Sequence, residues 1–202
     1  MKNPLKPQMI NWKMLKKAYG KQNNLSVWSE KEIEGYDVTQ VTNGHFIISS
    51  QRQSEGAGLT FILDEFKGVP LPNTMRRKEL NDDVEALTPD HERYTRYDNL
   101  INDGLKIEEL TKIEYTGLTL NRKTDVGKDM KCEIFFNPEK KEYVFLNQIY
   151  TNLIQDLSDP SIKIYGGAAF NSVHFISEAE DEHVMVLPFR VTGQVDFLKT
   201  DF

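Results

Sequence analysis

The sequence predicts an α+β chain of two tandem domains, each with antiparallel sheets and one or two helices. Three observations carry that expectation: short strand-like segments closed by turn residues, a few helical stripes mixed among them, and no regular strand–helix alternation of the βαβ kind. The 202 residues suffice for two domains of about a hundred each.

The first element is a helix from Ile10 to Lys21. At about 100° per residue, Trp12, Met14, Leu15, Ala18 and Tyr19 share one side and Lys13, Lys16, Lys17 and Lys21 the other. Strands follow at Tyr36–Val41 and His45–Ser49, joined by an Asn43-Gly44 hairpin turn, and at Leu59–Leu63. Prolines 70 and 72 then break the pattern, and Thr74–Leu87 reads as a second helix. Thr88–Asp103 is polar and irregular. It sets the domain limits at 1–97 and 98–191, with a C-terminal tail at 192–202. Strands are expected at Gly117–Leu120, Lys131–Phe136 and Glu142–Leu146, the last two separated by a Pro138-Glu139-Lys140 turn. Leu146, Ile149, Tyr150, Leu153, Ile154 and Leu157 form a helical stripe that Asp159-Pro160 ends. Strands at Ser161–Tyr165, Ser172–Ile176 and His183–Phe189 close the second domain.

Composition narrows the function classes. With 39% apolar, 28% charged and 10% aromatic residues, the chain is too rich in Phe, Tyr and Ile to be disordered. No apolar run approaches the roughly 20 residues that span a bilayer, and the first ten residues hold no signal-peptide core, so a cytoplasmic, membrane-free protein is expected. The single cysteine, Cys132, excludes an internal disulfide and reads as a small buried side chain. A net charge of −6 repels nucleic acid unless lysines cluster locally, as they do on the first helix. No phosphate-binding glycine loop precedes a helix, and no nucleophile elbow is present. No two of the four histidines are spaced to share a helix face, so a metal site would have to be assembled in three dimensions; no cofactor and no metal are expected. The run Asp90-His91-Glu92, with His45, nevertheless has the residue types of a metal-dependent hydrolase.

Four short segments occur in a telling order. They are Thr42-Asn43-Gly44-His45-Phe46-Ile47, Pro89-Asp90-His91-Glu92-Arg93-Tyr94, Phe145-Leu146-Asn147-Gln148-Ile149-Tyr150, and Val184-Met185-Val186-Leu187-Pro188-Phe189-Arg190-Val191. At these places the chain resembles the bacterial sliding clamp, the β subunit of the replicative polymerase. That family carries a T-D-G-H-R-L-A turn and strand, a P-D-Y-x-R-V segment, an F-N-x-x-Y lead into its last helix and a closing V-V-M-P-M-R-L strand. Phe46 stands here in place of Arg, His91 in place of Tyr, Tyr94 in place of Val and Phe189 in place of Met.

The resemblance implies a shortened, two-domain version of the DNA-clamp fold, of the kind a phage or mobile element encodes. By the same resemblance it implies a non-enzymatic processivity factor that holds double-stranded DNA without sequence specificity. Lys13, Lys16, Lys17 and Lys21 are then the DNA-facing residues. A peptide cleft for DNA polymerase or clamp-loader peptides is implied at Thr42, Gly44, His45, Phe46, Ile47, Pro89, Arg93, Tyr94, Leu187, Pro188, Phe189, Arg190 and Val191. Two domains per chain imply a trimeric homo-oligomeric ring. A monomeric adaptor or decoy for replication proteins, and the hydrolase built on Asp90, His91, Glu92 and His45, are the alternatives. The tail holds Gln194-Val195-Asp196-Phe197-Leu198, similar to the Q-L-D-L-F peptides that dock on such clamps; it reads as a frayed terminus with a chance match or, alternatively, as a segment that masks the cleft.

Overall fold

The computed structural model describes residues 8–19, 26–52, 57–78, 83–123, 129–167 and 171–189. The α+β class with antiparallel sheets and few helices holds.

Chain order begins with a 3₁₀ turn at Trp12–Met14 that runs into α1, Leu15–Tyr19. It is shorter than the sequence suggests, although the apolar and lysine sides fall as expected: Trp12, Leu15, Ala18 and Tyr19 are buried, Lys13, Lys16 and Lys17 exposed. β1, Ser26–Ile33, is a strand that alternation does not reveal, because its first four residues are buried on both faces and the next three, Glu30, Lys31 and Glu32, are charged. It pairs with β2, Tyr36–Thr42, across a Glu34-Gly35 turn whose two φ values are 53° and 82°, the mirror-image turn that suits a tight hairpin. The expected Asn43-Gly44 turn leads on to β3, Phe46–Ser50, with Gly44 at φ 85°.

Three expectations need correction here. Leu59–Leu63 lies not in a strand but in α2, Ala57–Phe66, because Ile62 and Phe66, four residues apart, are buried together against Tyr19 and Trp28. Thr74–Leu87 is not a helix but a pair of strands, β4 at Thr74–Lys78 and β5 at Val84–Leu87, in which buried Met75 and Leu87 are cross-strand partners. Sheet pairing thus overrides helix formers such as Arg, Lys and Glu. Thr88–Asp103 is not irregular, since α3 occupies Glu92–Gly104. Its buried stripe is narrow, Tyr97 and Ile101 one turn apart with Tyr94 half-buried beside them, too thin for a composition-based reading to notice.

The second half supplies β6 (Thr111–Lys112), β7 (Glu114–Lys123), β8 (Asp129–Asn137) and β9 (Glu142–Asn147). The helical stripe to Leu157 collapses to α4, Gln148–Thr151, capped by the Asn147 side chain; beyond it Ile154 bridges to Ile10. β10 (Lys163–Gly166), β11 (Val173–Ile176) and β12 (Glu182–Val186) complete the described chain.

Among the described residues, two sheets form. One has nine strands in the order β5-β4-β1-β2-β3-β12-β11-β10-β6; the other is β7-β8-β9. The large sheet joins the two halves through β3 and β12, with Phe46 opposite Val186 and Ile47 opposite Met185. It is therefore continuous across position 97, and α3 runs through that position.

Alternation along β3 sorts the core. Phe46 and Ile48 enter a large cluster with Trp12, Leu15, Tyr19, Phe66, Leu153, Phe175 and Val184. Ile47 enters a second cluster with Val27, Met75, Leu87 and Met185, closed by Tyr97 and Ile101 of α3. α1, α2 and the chain after α4 thus pack on one face of the large sheet, and α3 on the other.

Candidate functional surface

The lysine side of α1 is anchored to the first of the four segments. The Tyr19 hydroxyl donates to the Thr42 carbonyl at 3.1 Å, and the Asn43 amide donates to the Ala18 carbonyl at 3.2 Å, satisfying an orphan C-terminal carbonyl of the helix. The Tyr19 and Phe46 rings meet edge to face at 6.1 Å. Burial pushes the Tyr19 phenol up, so it stays a neutral donor. Lys13, Lys16 and Lys17 consequently project from a short helix fixed at its far end. Lys21 lies outside the described residues.

The turn itself is closed by side chains. Thr42 Oγ1 donates to the Phe46 carbonyl at 2.6 Å and accepts from the Gly44 N–H at 3.0 Å; Asn43 Oδ1 accepts the N–H groups of His45 at 2.9 Å and Phe46 at 3.3 Å. These bonds hold the exposed His45 in place, where two other segments reach it. Its ring stacks on Tyr150 at 5.7 Å and 18°, and its carbonyl accepts the Leu187 N–H at 2.9 Å. Leu187 is 41% exposed. Burial raises the half-buried Tyr150 phenol. His45, Tyr150 and Leu187 therefore form a small surface of two rings and one aliphatic side chain, built from three stretches distant in sequence.

The remaining cleft residues distribute differently. Phe46 is fully buried in the large core, and Ile47 is buried beneath α3, so neither is presented to solvent. Tyr94 packs against the Ile47 cluster from α3, and burial raises its phenol. Pro89 is exposed, and Arg93 donates to Glu85 at 3.0 Å. Phe189 packs on a third cluster, with Cys132, Ile134 and Phe145, and its N–H donates to the Phe145 carbonyl at 2.8 Å. Thr42 is buried, Gly44 exposed and Pro188 half-buried. Arg190, Val191 and the tail from Thr192 to Phe202 lie outside the described residues.

Asp90, His91 and Glu92 begin α3. His91 is the N-cap, its Nδ1 accepting the Arg93 N–H at 3.1 Å, and the Thr88 hydroxyl bonds Asp90 and holds its carboxyl low. His45 stacks on Tyr150 instead of joining them. Among the described residues, no group of three or more His, Cys, Asp or Glu could hold a metal ion.

One constellation escapes sequence spacing altogether. His174 on β11 and His183 on β12 meet diagonally across the hairpin, Nδ1 to Nε2 at 2.9 Å, and the Ser172 hydroxyl lies 2.7 Å from His174 Nε2. Burial drives both imidazoles down, to about 3 and about 4, so at neutral pH both rings are uncharged and one donates to the other. Only the register of β11 on β12 brings them together.

No helix among the described residues is long and apolar enough to cross a membrane. No family model and no curated protein matches the chain. Among solved structures, the chain is similar to a DNA polymerase III β chain from Streptococcus pneumoniae TIGR4, with a TM-score of 0.39 and 12% identity over 95% of this chain. It spans 65% of the length of that protein.

Proposed function

We propose that this chain is a non-enzymatic, clamp-type binding protein. It holds duplex DNA through Lys13, Lys16, Lys17 and Lys21 and docks polymerase or loader peptides on the surface around His45. The single observation that carries this reading is the coupling of two features singled out for different reasons. The lysine-bearing helix is hydrogen-bonded, through Tyr19 and Asn43, to the same turn that displays His45. A phosphate backbone needs clustered cations and no base-reading groups, and three exposed lysines on one side of an acidic body supply that. The four segments that resemble the sliding clamp support the partner class. In this reading 1–97 and 98–191 act as two clamp-like units, assembled as a trimeric ring, and Arg190 and Val191 extend the cleft.

The test is retention on nicked circular duplex DNA against the same DNA linearised. The parent should stay on the circle and run off the linear form, and changing the four lysines to Glu should abolish retention and flatten its salt dependence. Equal retention by the parent and the variant removes the lysine side as the DNA face. Light scattering that gives a strict monomer, together with no retention, replaces the ring with the adaptor.

A further inference from the structure

The three-stranded sheet turns one face to the large core and the other away from it. Phe135, Val144 and Leu146 lie on the inner face, in the large cluster, and Ile134, Phe145 and Tyr143 on the outer one. At one end of the outer face, Tyr143, Phe136 and Glu114 are partners across the three strands, and they floor a groove of about 450 Å³. The Tyr143 and Phe136 rings meet there at 5.1 Å. The far wall of the groove is a bulge in β7. Between the pairs Tyr115–Phe135 and Thr119–Glu133, the residues Thr116, Gly117 and Leu118 stand against Ile134 alone. The Thr116 hydroxyl donates to the Ile134 carbonyl at 2.7 Å and accepts the Leu118 N–H at 3.2 Å. These bonds fix the bulge and leave Leu118 49% exposed at the groove. Neither the lysines of α1 nor the surface around His45 uses it.

The chain after β12 is aimed at this groove. The Leu187 N–H bonds the His45 carbonyl, beside Tyr150 of α4, and the Phe189 N–H bonds the Phe145 carbonyl of β9. α4 follows β9 directly, so from Leu187 to Phe189 the chain runs against the direction of β9. Its next step along that edge is Tyr143, on the groove. The Phe189 side chain lies on the outer face, packed with Ile134 and Phe145. From there the sequence alternates: Phe189, Val191, Val195 and Phe197 are apolar and Gly193 keeps the phase, while Arg190, Thr192, Gln194 and Asp196 stand between them. A period of two is the pattern of a strand with one buried face, and its phase puts Val191, Val195 and Phe197 on the side that Phe189 occupies. The reach suffices. At about 3.3 Å per residue, Val191 stands about 7 Å past Phe189, and β7 lies about 10 Å across the sheet from β9. We propose that residues 190–198 of this chain add to the outer edge of β9 as a fourth strand and then fold over the outer face, where Val195 and Phe197 fill the groove against Tyr143, Phe136 and Leu118. A segment tethered this close meets the groove at high effective concentration, so modest contacts hold it. It shields an apolar groove from water and, running away from His45, leaves that surface open.

Hydrogen exchange at single amides, read by NMR on the full chain, tests this. The Val191 N–H, two residues beyond the Phe189–Phe145 bond, should bond the Tyr143 carbonyl. The amides from Val191 to Phe197 should exchange at least about tenfold more slowly than in an unstructured chain. Val195→Ser/Phe197→Ser removes the side chains that fill the groove, and Leu118→Lys changes its wall at an exposed position. Each should return the segment to the exchange rate of an unstructured chain. Leu71→Ser, at an exposed apolar residue elsewhere, should leave the protection as it is. Amides of β8, protected as in the parent, confirm that the sheet is intact in every variant. Unstructured rates in the parent, or protection that survives either the Val195/Phe197 or the Leu118 change, overturn the proposal. Protection that grows with protein concentration would seat a second copy in the groove and overturns it too. The lysines of α1 take no part in these measurements, so the outcome stands apart from DNA retention.

Discussion

The carboxylate of Glu182, at the start of β12, accepts the main-chain N–H of Met9 at 2.5 Å, from 173 residues away, and lies 3.5 Å from that of Ile10. Glu182 is fully buried, and burial raises its carboxyl even though these N–H groups and Arg52 favour the charged form. Residues 9–11 are held from the other side as well: Gln155 donates to the Met9 carbonyl at 2.9 Å and Asn11 to the Leu153 carbonyl at 2.7 Å. The stretch leading into α1 is thus fastened to β12 and to the chain after α4, which makes Glu182 the fixed point for the lysine-bearing helix.

Removing the acceptor leaves the Met9 donor buried without a partner. Glu182→Ala should therefore cost about 2–3 kcal/mol in urea unfolding, and Glu182→Gln, which keeps an acceptor oxygen, about half of that. Equal losses in the two variants would show that packing, not the hydrogen bonds, sets the effect.

The histidine pair predicts a direction with pH. Both imidazoles are held below the ordinary 6.5, at about 3 and about 4, so the unfolded chain takes up protons that the folded one refuses. Stability is full above about pH 6.5 and falls as the pH drops through the interval down to about 4. The raised carboxyls of Glu30 and Glu182 work in the opposite sense, in the window just above 4.5. The parent should lose about 4 kcal/mol more between pH 6.5 and 4.5 than the double variant His174→Phe/His183→Leu, about 2 kcal/mol per imidazole, measured by urea midpoints. Parallel curves would mean that the pair does not titrate on unfolding.

Cys132 is fully buried on β8, and burial pushes its thiol up to about 11. A thiol that is neither exposed nor ionised does not attack a disulfide reagent. Native protein should react with such a reagent at least about a hundredfold more slowly than protein in urea, at a rate that tracks global unfolding. Fast native labelling would place the thiol at the surface.

What could be read in the sequence was whatever depended on nearest neighbours. The Asn43-Gly44 turn, the sides of α1, the strands at β8 and β9 and the burial of Cys132 all follow from local patterning. β4 and β5 were hidden because Arg76, Arg77 and Glu85 favour a helix, and only pairing of Met75 with Leu87 decides otherwise. α3 was hidden because two buried residues suffice when a whole sheet face lies beneath them. The same cause separates the site residues. Phe46 and Ile47 look equally fit to line a cleft, but their alternation on a sheet covered on both faces buries each in a different cluster. His45 meets Tyr150 and Leu187 through long-range packing that no spacing rule encodes.

Gly104 ends α3 directly over the large sheet. A Cβ built there would collide with Ile47 Cδ1 and stand 3.4 Å from Met185 Cε, so the glycine is what lets the helix end settle onto the strand pair joining the two halves. Ile47 and Met185 are cross-strand partners, which means that displacing either one disturbs the β3–β12 seam itself. Gly104→Ala gains helix propensity, worth about 1 kcal/mol at an exposed interior position. The overlap costs more than that in a close-packed cluster, and a net loss of about 1–3 kcal/mol is expected. Ile47→Val removes the Cδ1 methyl that the new side chain strikes. It should cost about 1 kcal/mol alone, yet in combination with Gly104→Ala it should recover part of the loss, a coupling of about 1 kcal/mol in a double-mutant cycle by chemical denaturation. Additive losses would mean that α3 lifts away as a body, in which case the Tyr94 and Tyr97 contacts would loosen together and tyrosine fluorescence would report it.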